Sequence, residues 1–351
     1  VKYSPDYRNI AGAATNKRTP VIPLYEHIIS AKILSEIEGR DIFEAGFDGS
    51  EARKETYRRY IDAIVKLGYD APPYEFCLTS VLEGAGALNR SEGKQGCIRD
   101  MDDFRSYPWD GILDAYVSTF RPMLEDLSEV VSQMGVKLIG GVGNGLFEAV
   151  QDLVGYENLC LISYDDPELY AMLFETLGDI WYRIWGWMLE NYGHLWAVCR
   201  FGDDLGFKSS TLLPPSDITK HLIPQYKRVI SLIHSHGKPF LLHSCGNTFA
   251  VMDDLIDEAG IDAKHSNEDA IAPFDEWIRR YKDRIALFGG VDVDFLCTSD
   301  EDDIRAYVKD LYDRVNDLPG IALGSGNSIP DYMPTENYLA MVETIREARD
   351  Q

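Results

Sequence analysis

No stretch of the sequence approaches the roughly 18–20 consecutive apolar residues that a membrane span requires. The opening residues, Val1-Lys2-Tyr3-Ser4-Pro5-Asp6, have no apolar core of the kind a secretory signal carries. Cysteine is scarce: Cys77, Cys97, Cys160, Cys199, Cys245 and Cys297 lie far apart and form no CxxC pair, which fits reduced thiols better than a disulfide framework. Basic runs are absent as well. With 34 basic and 58 acidic side chains the net charge is −24, so a phosphate backbone would be repelled and nucleic acid is excluded as a partner. There is no Pro/Gly/Ser tract to serve as a linker and no low-complexity segment. These absences point to a cytoplasmic protein with one domain spanning residues 1–351.

What is present is a recurring unit. Eight short apolar runs are spaced along the chain: Val21–Tyr25, Ala71–Phe76, Lys137–Val142, Trp196–Phe201, Pro239–His243, Ile261–His265, Ile285–Phe288 and Ile321–Leu323. Stretches of helical periodicity lie between them, such as Ile218, Leu222, Tyr226, Val229 and Ile230, or Ala306, Val308, Leu311 and Val315. Strand followed by helix implies a parallel sheet, and eight repeats in this length favour a closed (β/α)8 TIM barrel over an open sheet. The interval of about sixty residues between the second and third strands is too long for one crossover helix, so extra helices are expected there.

The strand ends are polar: Glu26-His27, Glu75, Gly143-Asn144-Gly145, Asp203-Asp204, His243-Ser244-Cys245, His265-Ser266-Asn267-Glu268, Asp292 and Ser325-Gly326-Asn327. In a (β/α)8 barrel these ends converge on the face that carries active sites. Alternate strand residues share a face, so His243 and Cys245 can point the same way, and imidazole with thiolate suits zinc. A core histidine beside a buried thiol would give the same pattern. Glu268 and His265 are candidates to complete a coordination sphere, although Glu268 also reads as a carboxylate opening a helix. Of Asp203 and Asp204 at most one can face the centre, as general acid or base, as a support for His243, or as a partner for a cationic substrate. Glu26 and Glu75 are further catalytic candidates. Tyr25, His27, Tyr74, Phe76, Phe207, His265, Asn327 and Tyr332 are expected to contact a flat, apolar or cationic substrate. The glycines of Gly140–Gly145 lack the acidic strand end that would complete a dinucleotide fingerprint, and they read as positions of close backbone approach or tight turning.

Taken in order, Arg18-Thr19-Pro20-Val21, Phe201-Gly202-Asp203-Asp204-Leu205-Gly206, His243-Ser244-Cys245-Gly246, Gly289-Gly290-Val291-Asp292 and Pro334-Thr335-Glu336-Asn337 resemble the uroporphyrinogen decarboxylase superfamily over nearly the whole chain. The resemblance implies a (β/α)8 barrel and one of two activities: porphyrinogen decarboxylation, or zinc-dependent methyl transfer to or from a corrinoid protein. The decarboxylases carry an arginine-rich motif after the first strand, where this chain has Leu24–Ser30 and no arginine before Arg40. The methyltransferase branch uses His-x-Cys as zinc ligands, matched by His243 and Cys245. That branch often adds a cysteine after the last strand, and Leu323–Pro330 has none. Glu268 or His265 then replaces it, or the site binds metal weakly or not at all. The expectation is a zinc enzyme acting on a methyl ether or methylamine with a corrinoid cofactor on a partner protein. A metal-independent decarboxylase with a smaller substrate is the alternative, and a non-catalytic ligand-binding barrel a second one.

Overall fold

The computed structural model describes residues 4–88 and 96–350. Seven parallel strands form one sheet in sequential order: β1 (Pro73–Cys77), β2 (Leu138–Gly143), β3 (Trp196–Gly202), β4 (Phe240–His243), β5 (Ala263–His265), β6 (Ala286–Val291) and β7 (Ile321–Ser325). Each is flanked by helices, so the runs are buried on both faces and read as nearly continuous apolar sequence. One interior cluster draws Ile139, Val198, Leu241, Ala263, Ala286, Phe288 and Ala322 from successive strands and Tyr25 from the segment before them. This is the packed centre of a (β/α)8 barrel.

The expected first strand, Val21–Tyr25, is reduced to isolated parallel bridges, Leu24 to Leu323 and Ile29 to Ile329. Pro20 and Pro23 have no N–H to give to a ladder, which limits regular pairing here. The segment still seals against β7: Tyr25 N donates to Leu323 O at 2.9 Å and Leu323 N to Pro23 O at 2.9 Å. The long interval between β1 and β2 contains the helices Met101–Ser106 and Ile112–Met134, as its length suggests. Three more helices, Leu146–Val154, Tyr156–Asp165 and Pro167–Tyr192, fill the interval between β2 and β3. The periodic stretches are helical, with Ile218, Leu222, Tyr226, Val229 and Ile230 buried; in the later helix the buried stripe starts at Ile304, and Ala306 faces outward. At the N-terminal ends of the strands sits α1 (Tyr7–Ala14), whose Ile10, Ala13 and Ala14 plug the interior cluster. Among the described residues no helix is long and apolar enough to cross a membrane.

Glu26 belongs to the seam. Its carboxyl accepts Ser325 N at 2.9 Å, Ser325 Oγ and Tyr69 Oη, and Tyr69 in turn meets Tyr338. Burial pushes Glu26 up to about 8. It is therefore protonated in the fold at neutral pH and ionised in the unfolded chain, so its contribution to stability falls as pH rises from the ordinary carboxylate value towards 8. Urea unfolding of Glu26→Gln should show a shallower loss of stability than the parent between about pH 5 and pH 8; an unchanged slope would mean that the seam carboxyl is ionised in the fold.

Candidate metal centre at the C-terminal face of the barrel

Register sets the centre. Gly202 pairs with His243 and His243 with His265, so the two imidazoles project from neighbouring strands to the same side. His265 Nε2 lies 3.0 Å from Ser325 O, a pure acceptor, and so carries the proton. Burial pushes His265 down to about 3 and His243 well below its ordinary range, so both rings are neutral. The Nδ1 of His265 is then a bare acceptor. His243 Nδ1, 2.8 Å away, must donate to it, which leaves His243 Nε2 with a free lone pair. His27 stacks on His243 with ring centroids 3.6 Å apart and planes 6° from parallel.

Two more donors face that lone pair. Cys245 Sγ is 3.4 Å from His243 Nε2, and Asp204 Oδ1 is 3.9 Å from it. One ligand atom from each of the three residues lies within 4.8 Å of the others. The loops carrying them are locked together: Asp204 Oδ1 accepts Cys245 N at 2.8 Å, Gly206 N donates to Cys245 O at 3.1 Å, and Leu205 N to Ser244 Oγ at 3.2 Å. Gly246 turns with φ +80°, and a Cβ on it would stand 2.1 Å from Gly206 C, so this crossing requires glycine. Asn327 Nδ2 donates to Cys245 Sγ at 3.3 Å. Burial, then the Asp204 carboxylate, pushes the Cys245 thiol well above its usual range. A nitrogen, a sulfur and an oxygen converging with one side open fit the donor set of a catalytic zinc. Behind the loops Lys264 is buried, its Nζ donating to Ser266 O at 2.5 Å and Ser244 O at 3.3 Å, 4.3 Å from the Trp277 ring centre.

The donors open onto a cavity of about 270 Å³ that also meets His27, Glu75, Glu148 and Asn327. Arg200 is fully buried beneath it, donating to Glu75 Oε2 at 2.7 Å and to His27 O at 2.8 Å. Gly143 on β2 leaves room for Glu75, since a Cβ there would stand 3.0 Å from its carboxyl carbon. The adjacent aspartates, just past the end of β3, diverge. Asp203 turns away and accepts Phe147 N at 2.9 Å, Glu148 N at 2.8 Å and Tyr226 Oη, which fixes the start of the Leu146–Val154 helix. Gly145 permits this approach, since a Cβ there would stand 2.1 Å from that of Asp203. Glu148 is thereby held over the cavity, its Oε2 accepting Asn144 Nδ2 at 3.0 Å, and burial followed by the Asp203 and Asp204 charges raises it above the ordinary carboxylate range.

Other expected residues lie elsewhere. Glu268 is outside the donor cluster, in an adjoining cavity of about 370 Å³ with Lys208, Asp292 and Tyr332, because the chain after β5 is drawn towards β7 by Asn267 N donating to Gly326 O. His265 supports His243 and does not face the donors. Glu26 belongs to the seam. Tyr74 and Phe76 flank the inward Glu75 and so must point outward, where they pack with Tyr57, Tyr60 and Phe120. Tyr25 lies below the site against His265 and Phe288. Phe207 and Tyr332 are exposed, and only Tyr332 lines the adjoining cavity. Arg200, Glu148 and Lys264 were missed, although a charged residue inside the apolar run Trp196–Gly202 is a signal in itself.

His265→Ala should weaken zinc binding roughly 10–100-fold in a chelator competition, because His243 loses the partner that fixes its tautomer. Glu268→Gln should leave the affinity unchanged. The reverse pattern would move the third ligand to Glu268.

Comparison with known proteins agrees with the architecture. Residues 8–348 match the family described as uroporphyrinogen decarboxylase (URO-D). Among solved structures, a methyltransferase from Methanosarcina mazei is similar with a TM-score of 0.68 and 18% sequence identity, covering 99% of this chain and 99% of that one. That likeness is one of fold. No curated protein matches. The chain belongs to the uroporphyrinogen decarboxylase family.

Proposed function

We propose that the protein is a zinc-dependent methyltransferase that moves a methyl group between a small O- or N-methylated compound and a corrinoid carried by a partner protein. The observation that carries this reading is the free lone pair of His243 Nε2, aimed at Cys245 Sγ and Asp204 Oδ1 on the wall of an open cavity. These three residues would hold the metal, with Asp204 in the role expected of Glu268. Bound there, zinc would supply Lewis acidity to the heteroatom bearing the methyl group. The similar fold of the Methanosarcina methyltransferase adds support.

The chain's own residues do the rest. His265 and Ser325 keep His243 in one tautomer, and Asn327 holds the Cys245 sulfur by a donated hydrogen bond. A corrinoid on the partner would supply the methyl acceptor, and in demethylation the oxygen or nitrogen of the substrate would keep the bonding pair. Glu148, on the same cavity wall, is positioned to give that atom a proton. Charge argues against a polycarboxylate substrate, because the cavity presents Asp204 and, among the described residues, no unpaired cation, the Arg200 guanidinium being already bound to Glu75.

With zinc-loaded protein, reduced cobalamin and a panel of methoxylated aromatics and methylamines, formation of methylcobalamin should be visible in the absorption spectrum. Cys245→Ser should lower the rate by roughly a hundredfold or more, and Glu148→Gln should lower it with little change in zinc content. Transfer that survives in Cys245→Ser, or release of carbon dioxide from a carboxylated substrate by metal-free protein, would overturn the reading.

A further inference from the structure

The opposite end of the barrel carries a second concavity, of about 340 Å³, walled by α1 and by the residues that lead into β2, β3 and β4. Lys137 immediately precedes β2, Trp196 opens β3 and Lys238-Pro239 precedes β4, so the cavity lies at the N-terminal ends of the strands, away from His243 and Cys245. Four cationic side chains line it, Arg8, Lys17, Lys137 and Lys238, and no carboxylate does. Arg8 is paired with Asp6, but Lys17, Lys137 and Lys238 have no ion pair among the described residues.

That arrangement is unexpected in a chain of net charge −24, where carboxylates outnumber cations at 58 to 34 and a nearby anion is easily found. Lys137 and Lys238 are half-buried, and each is fixed in place. Lys137 Nζ rests 5.0 Å from the Tyr7 ring centre, and Lys238 Nζ donates to Trp196 O at 2.9 Å. Lys238 is held below its ordinary range by burial and then by the charge of Lys137, so the two ammonium groups feel each other. Like charges held together at a partly desolvated site are unfavourable until an anion enters between them.

We propose that this cavity is a binding site for a small polyvalent oxyanion, a phosphate group either free or borne by a small organic molecule. Lys137 and Lys238 would supply charge-assisted hydrogen bonds from the strand side, and Lys17 a third cation from beyond α1. The room beside Tyr7 and Ala11 exceeds what a lone phosphate fills and can take a short organic portion. The proposal is independent of the methyl-transfer reading.

The test is isothermal calorimetry at low ionic strength with three probes: inorganic phosphate, pyrophosphate and glycerol 1-phosphate. Saturable binding of at least one is expected in the zinc-loaded protein. It should persist in Cys245→Ser, which separates this cavity from anion capture by a metal. It should weaken roughly tenfold or more in the double variant Lys137→Gln/Lys238→Gln, and by about threefold in Lys17→Gln, whose exposed side chain is not part of the packing. Tighter binding of glycerol 1-phosphate than of inorganic phosphate would identify a phosphate ester as the ligand, and equal binding the free ion. No saturable heat with any probe, or binding lost in Cys245→Ser yet kept in the double lysine variant, would overturn the proposal.

Discussion

The chain of two hydrogen bonds from His243 through His265 to the carbonyl of Ser325 is the constraint on which the rest of the site depends. A carbonyl can only accept, so the proton on His265 Nε2 is determined, and with it the proton on His243 Nδ1. Three strands of the barrel are needed for this. β4 supplies the candidate ligand His243, β5 its support, and β7 the fixed acceptor. The seam that holds Ser325 in register, closed by Glu26, therefore bears on the donor cluster of Asp204, His243 and Cys245, to which Glu26 does not belong. Burial reinforces the relay by keeping both rings neutral, which is the only state in which it fixes the tautomer.

A second constraint is charge. The site gathers Glu75, Glu148, Asp203 and Asp204 within a few residues of the strand ends, and it neutralises them unevenly. Arg200 is bonded to Glu75, Asp203 is spent on a helix start and Tyr226, and Glu148 is raised by burial. Asp204 is left as the carboxylate facing the cavity beside His243 and Cys245. A metal cation there would relieve both that charge and the cost of the buried thiol. The same distribution favours neutral or cationic substrates over carboxylated ones. At the far end of the barrel the sign is reversed, with cations gathered where no carboxylate lines the cavity.

Much of the fold could be read directly from the sequence because barrel strands are buried on both faces and leave short apolar runs. Seven of those runs are the strands of the sheet. The eighth fails as a regular strand because prolines interrupt its ladder, a local effect that an apolar count ignores. At the site, the spacing of His243 and Cys245 made them legible as a pair, and they do converge although Cys245 lies two residues past the end of β4. Alternation along β1 would have turned Tyr74 and Phe76 outward once Glu75 was taken as inward. Glu268 shows where such reasoning stops: beyond the last strand residue, loop direction is set by contacts from β7 that sequence spacing does not encode. Glu148 was hidden for a similar reason, because its place depends on Asp203 capping a helix that begins more than fifty residues earlier in the chain.

X-ray absorption at the zinc edge of the metal-loaded protein tests the centre most directly. The account predicts one sulfur at about 2.3 Å with the remaining ligands nitrogen or oxygen at about 2.0–2.2 Å, the sulfur shell vanishing in Cys245→Ser. Two sulfurs, a shell that persists in that variant, or zinc bound without any sulfur would contradict the ligand set of Asp204, His243 and Cys245.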